Sequence, residues 1–272
     1  MPVAMLETPG DACPDAAMEL NRLTPVTLVV NAASRWGAAR AKDMARRSTG
    51  GLLLADNDEA ALAAIADDLD LQNLAPERVS TLAFDAADID RWEQASGFIS
   101  AQYGRLDWAL VYAAEAPAPE LVDFGRRDDG LDFAGLALSV RAIASLMRKN
   151  VQGGAIVVAA PGGALNARLS DVADAEFVHF VAAAADNAGA NIRINGMIVG
   201  ALDAPAWAHA PQLADLSDET GGLRPAFERL AADHGSVLRC DATPIARLVN
   251  ALLSDECPLS GAVLGVDAEH AM

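Results

Sequence analysis

The chain has 272 residues, enough to bury one sizeable core without a second domain. Apolar residues make up 52% of it and aromatics only 5%, so the apolar mass is Ala, Val, Leu and Ile, the stock of buried parallel strands and the helices that cover them. A formal net charge of −18 repels a phosphate backbone and argues against nucleic-acid binding, and neither a long apolar run nor a basic leader marks a membrane span or signal peptide, so a cytoplasmic protein is expected.

Residues 1–23 hold Pro2, Pro9 and Pro14 without sustained periodicity, and are expected to form an N-terminal extension ahead of one domain over 24–272. Residues 26–30 are a short β-branched apolar run, and the Ala- and Arg-rich stretch 37–47 that follows suits a helix. The pattern then repeats. Residues 51–55 predict a strand ending at Asp56, after which Ala60, Leu62, Ala63, Ile65, Ala66 and Leu69 lie at helical spacing. A strand at 79–84, a helix at 89–102 and a strand at 108–113 come next. Then follow a helix at 132–150, a strand at 155–160, a helix at 174–188 and a strand at 193–199. The segment 201–240 is interrupted by Pro205, Pro211, Gly221, Gly222 and Pro225 and is expected to be a variable piece covering a cleft. A helix at 244–253 and a strand at 262–266 close the chain. Strands joined by helical crossovers predict the α/β class: a single Rossmann-like doubly wound parallel sheet with helices on both faces.

Cys13, Cys240 and Cys257 are odd in number and widely spaced, so neither a disulfide framework nor a zinc site is expected. His209, His234 and His270 also lack ligand spacing, and no metal is predicted.

Several phrases, taken in order, resemble the short-chain dehydrogenase/reductase (SDR) family from residue 24 to residue 268. Gly104-Arg105-Leu106-Asp107 leads into the fourth strand, Gly153-Gly154-Ala155-Ile156-Val157 into the fifth, and Ile192-Arg193-Ile194-Asn195 with Val199-Gly200 forms the sixth-strand phrase. Leu252-Leu253-Ser254-Asp255 through Gly261-Ala262-Val263-Leu264 to Val266-Asp267 matches the family's close. The resemblance implies that Asp56 holds the adenosine ribose of a dinucleotide, that Asp85 lies beside the adenine, and that Gly37 is the surviving member of a glycine-rich phosphate turn.

The family's functional positions are altered. Its glycine-rich turn lets backbone approach a pyrophosphate, but here it reads Val30-Asn31-Ala32-Ala33-Ser34-Arg35-Trp36-Gly37, with two of three glycines replaced. Asn31 tolerates a left-handed backbone, whereas Arg35 and Trp36 are expected to put bulk beside the phosphate path. The Asn-Asn-Ala-Gly of the fourth strand aligns with Val111-Tyr112-Ala113-Ala114, and the Asn of the proton-relay water with Asp132. Hydride transfer in the family uses Tyr as acid/base, Lys to lower its pKa, and Ser to polarise the carbonyl. These fall at Leu169, Ala173 and Pro161, and residues 151–200 contain neither Tyr nor Lys.

Ser170, Asp171, Asp174, Glu176 and His179 are the substitutes within reach in sequence. Carboxylates near a helix start also suit its dipole, and His179 lies in an apolar stretch. The expectation drawn is a catalytically inactive SDR-fold subunit, with no catalytic residue and no cofactor of its own, NAD being the candidate if the degenerate site still binds one. Its partner would be an active SDR paralogue in a heterotetramer, packed through helices 132–150 and 174–188, since Phe177, Val178, Phe180, Val181 and Ala182 to Ala185 are more apolar than one buried face requires. The alternative is an NAD-dependent oxidoreductase with non-standard catalysts drawn from Ser170, Asp171 or His179. A third reading is a ligand sensor built on the same cleft.

Overall fold

Strands that are buried on both faces of a parallel sheet carry unbroken apolar runs, and Val26–Val30 (β1) and Gly51–Asp56 (β2) are buried along their whole length. The computed structural model describes residues 24–47, 50–72, 79–113, 132–161, 167–199, 238–240 and 245–266. Its remaining strands are Val79–Ala83 (β3), Trp108–Tyr112 (β4), Gly154–Pro161 (β5), Ile192–Val199 (β6), Leu238–Cys240 (β7) and Val263–Val266 (β8). The helices are Arg35–Ala45 (α1), Glu59–Leu71 (α2), Ile89–Gln102 (α3), Phe133–Met147 (α4), Ala167–Ala188 (α5) and Ile245–Leu253 (α6). All eight strands join one parallel sheet in the order β3-β2-β1-β4-β5-β6-β8-β7.

Two apolar cores follow from the period of two along each strand. Val29, Leu52, Leu54, Leu110 and Val157 pack with Trp36 and Met44 of α1, Leu62 and Leu69 of α2, and Leu248 and Leu252 of α6. On the opposite face Leu28, Val30, Leu53, Val111 and Ile156 pack with Trp92 and Ile99 of α3, Ile143 and Met147 of α4, and Phe177 and Val181 of α5. This is the doubly wound architecture that the alternating pattern predicts.

Four helices begin on a side-chain cap, which satisfies N–H groups that a helix cannot bond internally. Ser34 accepts from Gly37 N, Asp58 from Ala61 N, Asp88 from Asp90 N and Arg91 N, and Asp132 from Gly135 N. At the far end, Arg193 donates to the carbonyls of Leu252, Leu253 and Ser254, tying the end of α6 to β6.

Two features differ from the sequence reading. Helix α5 begins at Ala167 rather than at 174, and β7 is a three-residue edge strand at the end of the segment expected to be a variable cover. The extension 1–23 and the rest of that cover, 201–237, lie outside the described residues.

Arg40 of α1 is 7% exposed; its Nη2 pairs with Asp43 at 3.2 Å, but Nε and Nη1 have no acceptor. Burial pulls its pKa down against the pull of Asp43. A buried ion pair that is only partly satisfied is commonly outdone by a pair of apolar side chains of similar volume. Replacing both partners, Arg40→Met with Asp43→Leu, is therefore expected to stabilise the chain by about 1–4 kcal/mol, seen as a higher urea midpoint at unchanged slope, whereas Arg40→Met alone leaves the Asp43 carboxylate without this partner and lowers the midpoint. A lower midpoint in the double variant would contradict this reading.

Candidate functional site

In an open parallel sheet, ligands bind beyond the carboxyl ends of the strands where the strand order reverses. Here that point lies between β1 and β4. Immediately after β1, Asn31 adopts φ of 56°, and among the described residues it is the one non-glycine with positive φ. Its left-handed backbone takes the place of a glycine. Its side chain does more: Nδ2 donates to the carbonyl of Tyr112 at the end of β4, at 2.5 Å.

The rest of the turn is closed by its own hydrogen bonds. Ala32 N donates to Ala55 O at 3.1 Å, Ser34 N and Oγ donate to Asn31 O at 3.2 and 2.7 Å, and Ser34 Oγ accepts from Gly37 N at 3.0 Å. Ala38 N donates to Ser34 O. In the first turn of α1 the N–H groups of Arg35 and Trp36 have no acceptor within the helix, which leaves them to a ligand or solvent. Gly37 is required by packing: a Cβ there would lie 2.4 Å from Asn31 O and 2.8 Å from Ala32 Cα.

Trp36 does not obstruct the phosphate path from above, which corrects the expectation of bulk at this position. Its indole is 9% exposed, belongs to the core under α1 and stacks on Tyr112, with ring centroids 5.5 Å apart and planes 20° from parallel. Tyr112 faces that side because it shares the pleat face of Leu110, two residues earlier on β4. The side chain of Arg35 is outside the described residues.

Asp56 closes the turn from the side of β2. Its Oδ2 accepts from Ala33 N at 2.9 Å and its Oδ1 from Asp58 N at 3.1 Å, and the residue is 9% exposed. A carboxylate offers about four acceptor sites, so two internal bonds leave capacity for hydroxyl donors. Asp85, after β3, is exposed and accepts from Ala87 N at 2.9 Å. Asn31, Asp85, Tyr112 and Asp132 line a cavity of about 70 Å³ that opens at these strand ends. Of the three predicted residues Asp85 lines this cavity, Asp56 braces the neighbouring turn through Ala33 N, and Gly37 shapes the turn.

The acid/base candidates are spread along α5. Pro161 ends β5, and Leu169, Ser170, Asp171, Ala173 and Asp174 fall in the first turns of α5, their side chains outside the described residues. Glu176 and His179 are exposed. At 1.5 Å rise per residue, His179 lies roughly 18 Å along the axis from the start of α5, whereas Ser170 and Asp171 are within the first turn or so. Of the other residues with the family's functional chemistry, Tyr103 bonds Ser80 at 2.7 Å beneath β2 and Lys42 pairs with Asp68 at 2.5 Å. Lys149 is exposed beyond the end of α4. Among the described residues no group of three His, Cys, Asp or Glu side chains is placed to hold a metal, and no helix is long and apolar enough to cross a membrane.

A larger cavity of about 380 Å³ lies at the amino-terminal edge of the sheet, lined by Asp107, Gly153, Asn191 and Arg193. Burial pushes the Asp107 carboxyl above its usual range, against the pull of Val26 N and Arg105. That edge is opposite the crevice, and its charged groups are spent on joining strands: Asp107 Oδ2 accepts from Val26 N at 2.8 Å.

No protein-family model matches the chain, and no curated protein matches it. Solved structures do. A short-chain type dehydrogenase/reductase from Mycobacterium marinum is 17% identical, with a TM-score of 0.63 over 93% of this chain and 98% of that one. Sorbitol-6-phosphate 2-dehydrogenase from Erwinia amylovora is 20% identical, with a TM-score of 0.62 over 91% of this chain and 100% of that one. A 7α-hydroxysteroid dehydrogenase, solved with NADH and 7-oxo glycochenodeoxycholic acid, is 19% identical, with a TM-score of 0.61 over 92% and 96%. At these identities the likeness establishes a shared fold, that of the SDR dehydrogenases.

These likenesses correct the expectation of an inactive companion subunit. These three chains, each aligned with nearly the whole of this one, are named as dehydrogenases or a dehydrogenase/reductase, and none is described as a non-catalytic partner. The expectation of no cofactor is not supported either: a neighbour of this fold is solved with NADH, and the Trp36 indole of the turn is turned inward.

Proposed function

We propose that this chain is an NAD(H)-dependent oxidoreductase that exchanges hydride with an alcohol or carbonyl substrate, using catalytic residues other than the family's Tyr and Lys. The observation that carries this reading is the Asp56 carboxylate, held at the end of β2 by Ala33 N of the phosphate turn and by Asp58 N. It stands where an adenosine ribose would offer two hydroxyl donors, next to a helix start with unspent N–H groups. The crevice residues therefore suit a dinucleotide: Asp56 for the ribose, Asp85 for the adenine edge, and the start of α1 for the pyrophosphate.

When bound, the dinucleotide supplies the hydride acceptor or donor. The chain must orient the substrate and move one proton. Alcohol oxidation releases a hydride to NAD⁺ and a proton to a base, and reduction runs in reverse. Asp171 is the group we assign to that proton, with Ser170 as donor to the substrate oxygen, because both lie at the end of α5 that adjoins the carboxyl end of β5. The experiment is turnover of the chain expressed alone with NAD⁺ and a panel of secondary alcohols. Asp171→Asn and Ser170→Ala are expected to lower kcat by about 10²–10⁴ while leaving the NADH dissociation constant unchanged. Full turnover in both variants would overturn the assignment.

A partner subunit also belongs to this reading. Phe177, Val181 and Ala188 of α5 are buried against the chain's own sheet, while Ala183 of α5 and Ala137 and Arg141 of α4 are exposed beside an apolar groove of about 390 Å³. We assign this face to a further SDR-fold subunit, a paralogue or a second copy, in a cytoplasmic oligomer. Sedimentation of the chain alone and with a co-expressed paralogue distinguishes the two, and a monomer under both conditions contradicts it.

A further inference from the structure

Two glycines of the phosphate turn are absent, yet the turn keeps the geometry that a glycine gives. The left-handed conformation falls on Asn31, φ 56°, and glycine would supply that conformation equally well. What glycine cannot supply is the carboxamide, whose Nδ2 donates to Tyr112 O across the crevice, from the end of β1 to the end of β4. The Asn31 carbonyl meanwhile accepts from both Ser34 N and Ser34 Oγ, and Ser34 Oγ holds Gly37 N. One residue thus fastens the turn in two directions: forward to the first turn of α1 and sideways to β4. Beneath it the Trp36 indole stacks on the Tyr112 ring, so the strand that receives the Asn31 bond is also the strand that packs the helix start.

We propose that Asn31 is a positioning residue for the pyrophosphate of a bound nicotinamide dinucleotide: it replaces a flexible glycine by a turn fastened to β4, which holds the N–H groups of Arg35 and Trp36 in place before the ligand arrives. This rests on the oxidoreductase reading above. The physical gain is preorganisation. A turn that is ordered before binding does not have to be ordered by the ligand, and the asparagine loses less than glycine does on folding because it is less free in the unfolded chain.

The test is a calorimetric titration with NADH of wild type and three variants, each also unfolded by urea without ligand. Asn31→Gly keeps the backbone conformation and loses the carboxamide. It is expected to fold with a modestly lower midpoint and to bind NADH about 3- to 10-fold more weakly, the worth of one hydrogen bond. Asn31→Ala loses both and is expected to bind roughly tenfold more weakly again, the cost of a left-handed alanine. Asn31→Asp keeps the backbone tolerance, but its carboxylate faces the Tyr112 carbonyl and the pyrophosphate, and it is expected to be the weakest of the three. If Asn31→Gly binds NADH as tightly as wild type or tighter, the residue is needed only for its backbone and the proposal is wrong. If wild type itself does not bind NADH, the oxidoreductase reading has failed and the positioning role with it; binding by wild type with no difference among the variants overturns the positioning role alone.

Discussion

Replacing Gly37 by valine is expected to give a chain that is strongly destabilised and does not bind NADH. The Cβ alone would lie 2.4 Å from Asn31 O, 2.8 Å from Ala32 Cα and 2.9 Å from Ser34 Oγ, and two of those three are backbone positions that cannot rotate aside. The start of α1 must then move away from the turn, which breaks the Gly37 N to Ser34 Oγ cap. Overpacking of this kind costs about 1–3 kcal/mol and lost capping about 1 kcal/mol more. The side chain's branches add to the clash, so valine should exceed alanine. The binding effect has a separate origin, because the displaced segment carries the N–H groups of Arg35 and Trp36. Urea unfolding and NADH titration of Gly37→Ala and Gly37→Val check both parts. Wild-type stability in the valine variant would show that the turn accommodates a side chain and that the crevice is not built as described.

The second large effect is expected at Asp56. Asp56→Ala leaves Ala33 N and Asp58 N without their acceptors, in a residue environment that is 9% exposed. The partly buried Ala33 N then costs about 1–3 kcal/mol, and Asp58 N less because its residue is exposed to water. The variant also loses the carboxylate that would accept hydrogen bonds from ribose hydroxyls, and NADH is expected to bind about 10- to 100-fold more weakly. Asp56→Asn separates the two roles. Its amide can satisfy one of the two backbone donors but turns an N–H toward the other, so it should lie between wild type and alanine in stability. A loss of stability in Asp56→Ala with unchanged NADH affinity would mean that the carboxylate is a turn brace and not a ribose ligand.

How much of this was legible in the sequence depends on what each feature is made of. Buried parallel strands announce themselves, since residues facing either core must be apolar; the runs at 26–30, 51–55 and 193–199 were located within a residue or two of β1, β2 and β6. β7 was missed because Leu238-Arg239-Cys240 is too short to show a period. The first turns of α5 were missed because Ser170 and Asp171 interrupt the apolar spacing there, as polar residues near a helix start commonly do.

The site was read in part for the same kind of reason. Residue type told that Asn31 can be left-handed and that Asp56 ends a strand. Direction was not readable. Trp36 was placed beside the phosphate path, but a large indole follows burial, and the ring of Tyr112 on the adjacent strand face gave it a surface to stack on. The buried guanidinium of Arg40 was invisible too, because Arg at that position is indistinguishable in sequence from a solvated one. The inactive-subunit expectation came from equating a missing Tyr and Lys with missing chemistry. Acid/base work requires a group of suitable pKa within reach, and it is not tied to one residue type on one fold.

The most direct test of the account is NADH binding by the chain purified alone. Trp36 is buried behind the turn, stacked on the Tyr112 ring that borders the crevice, so excitation of tryptophan should produce sensitised NADH emission that saturates with ligand and is reduced in Trp36→Phe, with a dissociation constant that weakens in Asp56→Ala. Saturable emission with that dependence is the predicted result. No transfer and no calorimetric heat up to millimolar NADH would contradict the claim that this crevice holds a dinucleotide.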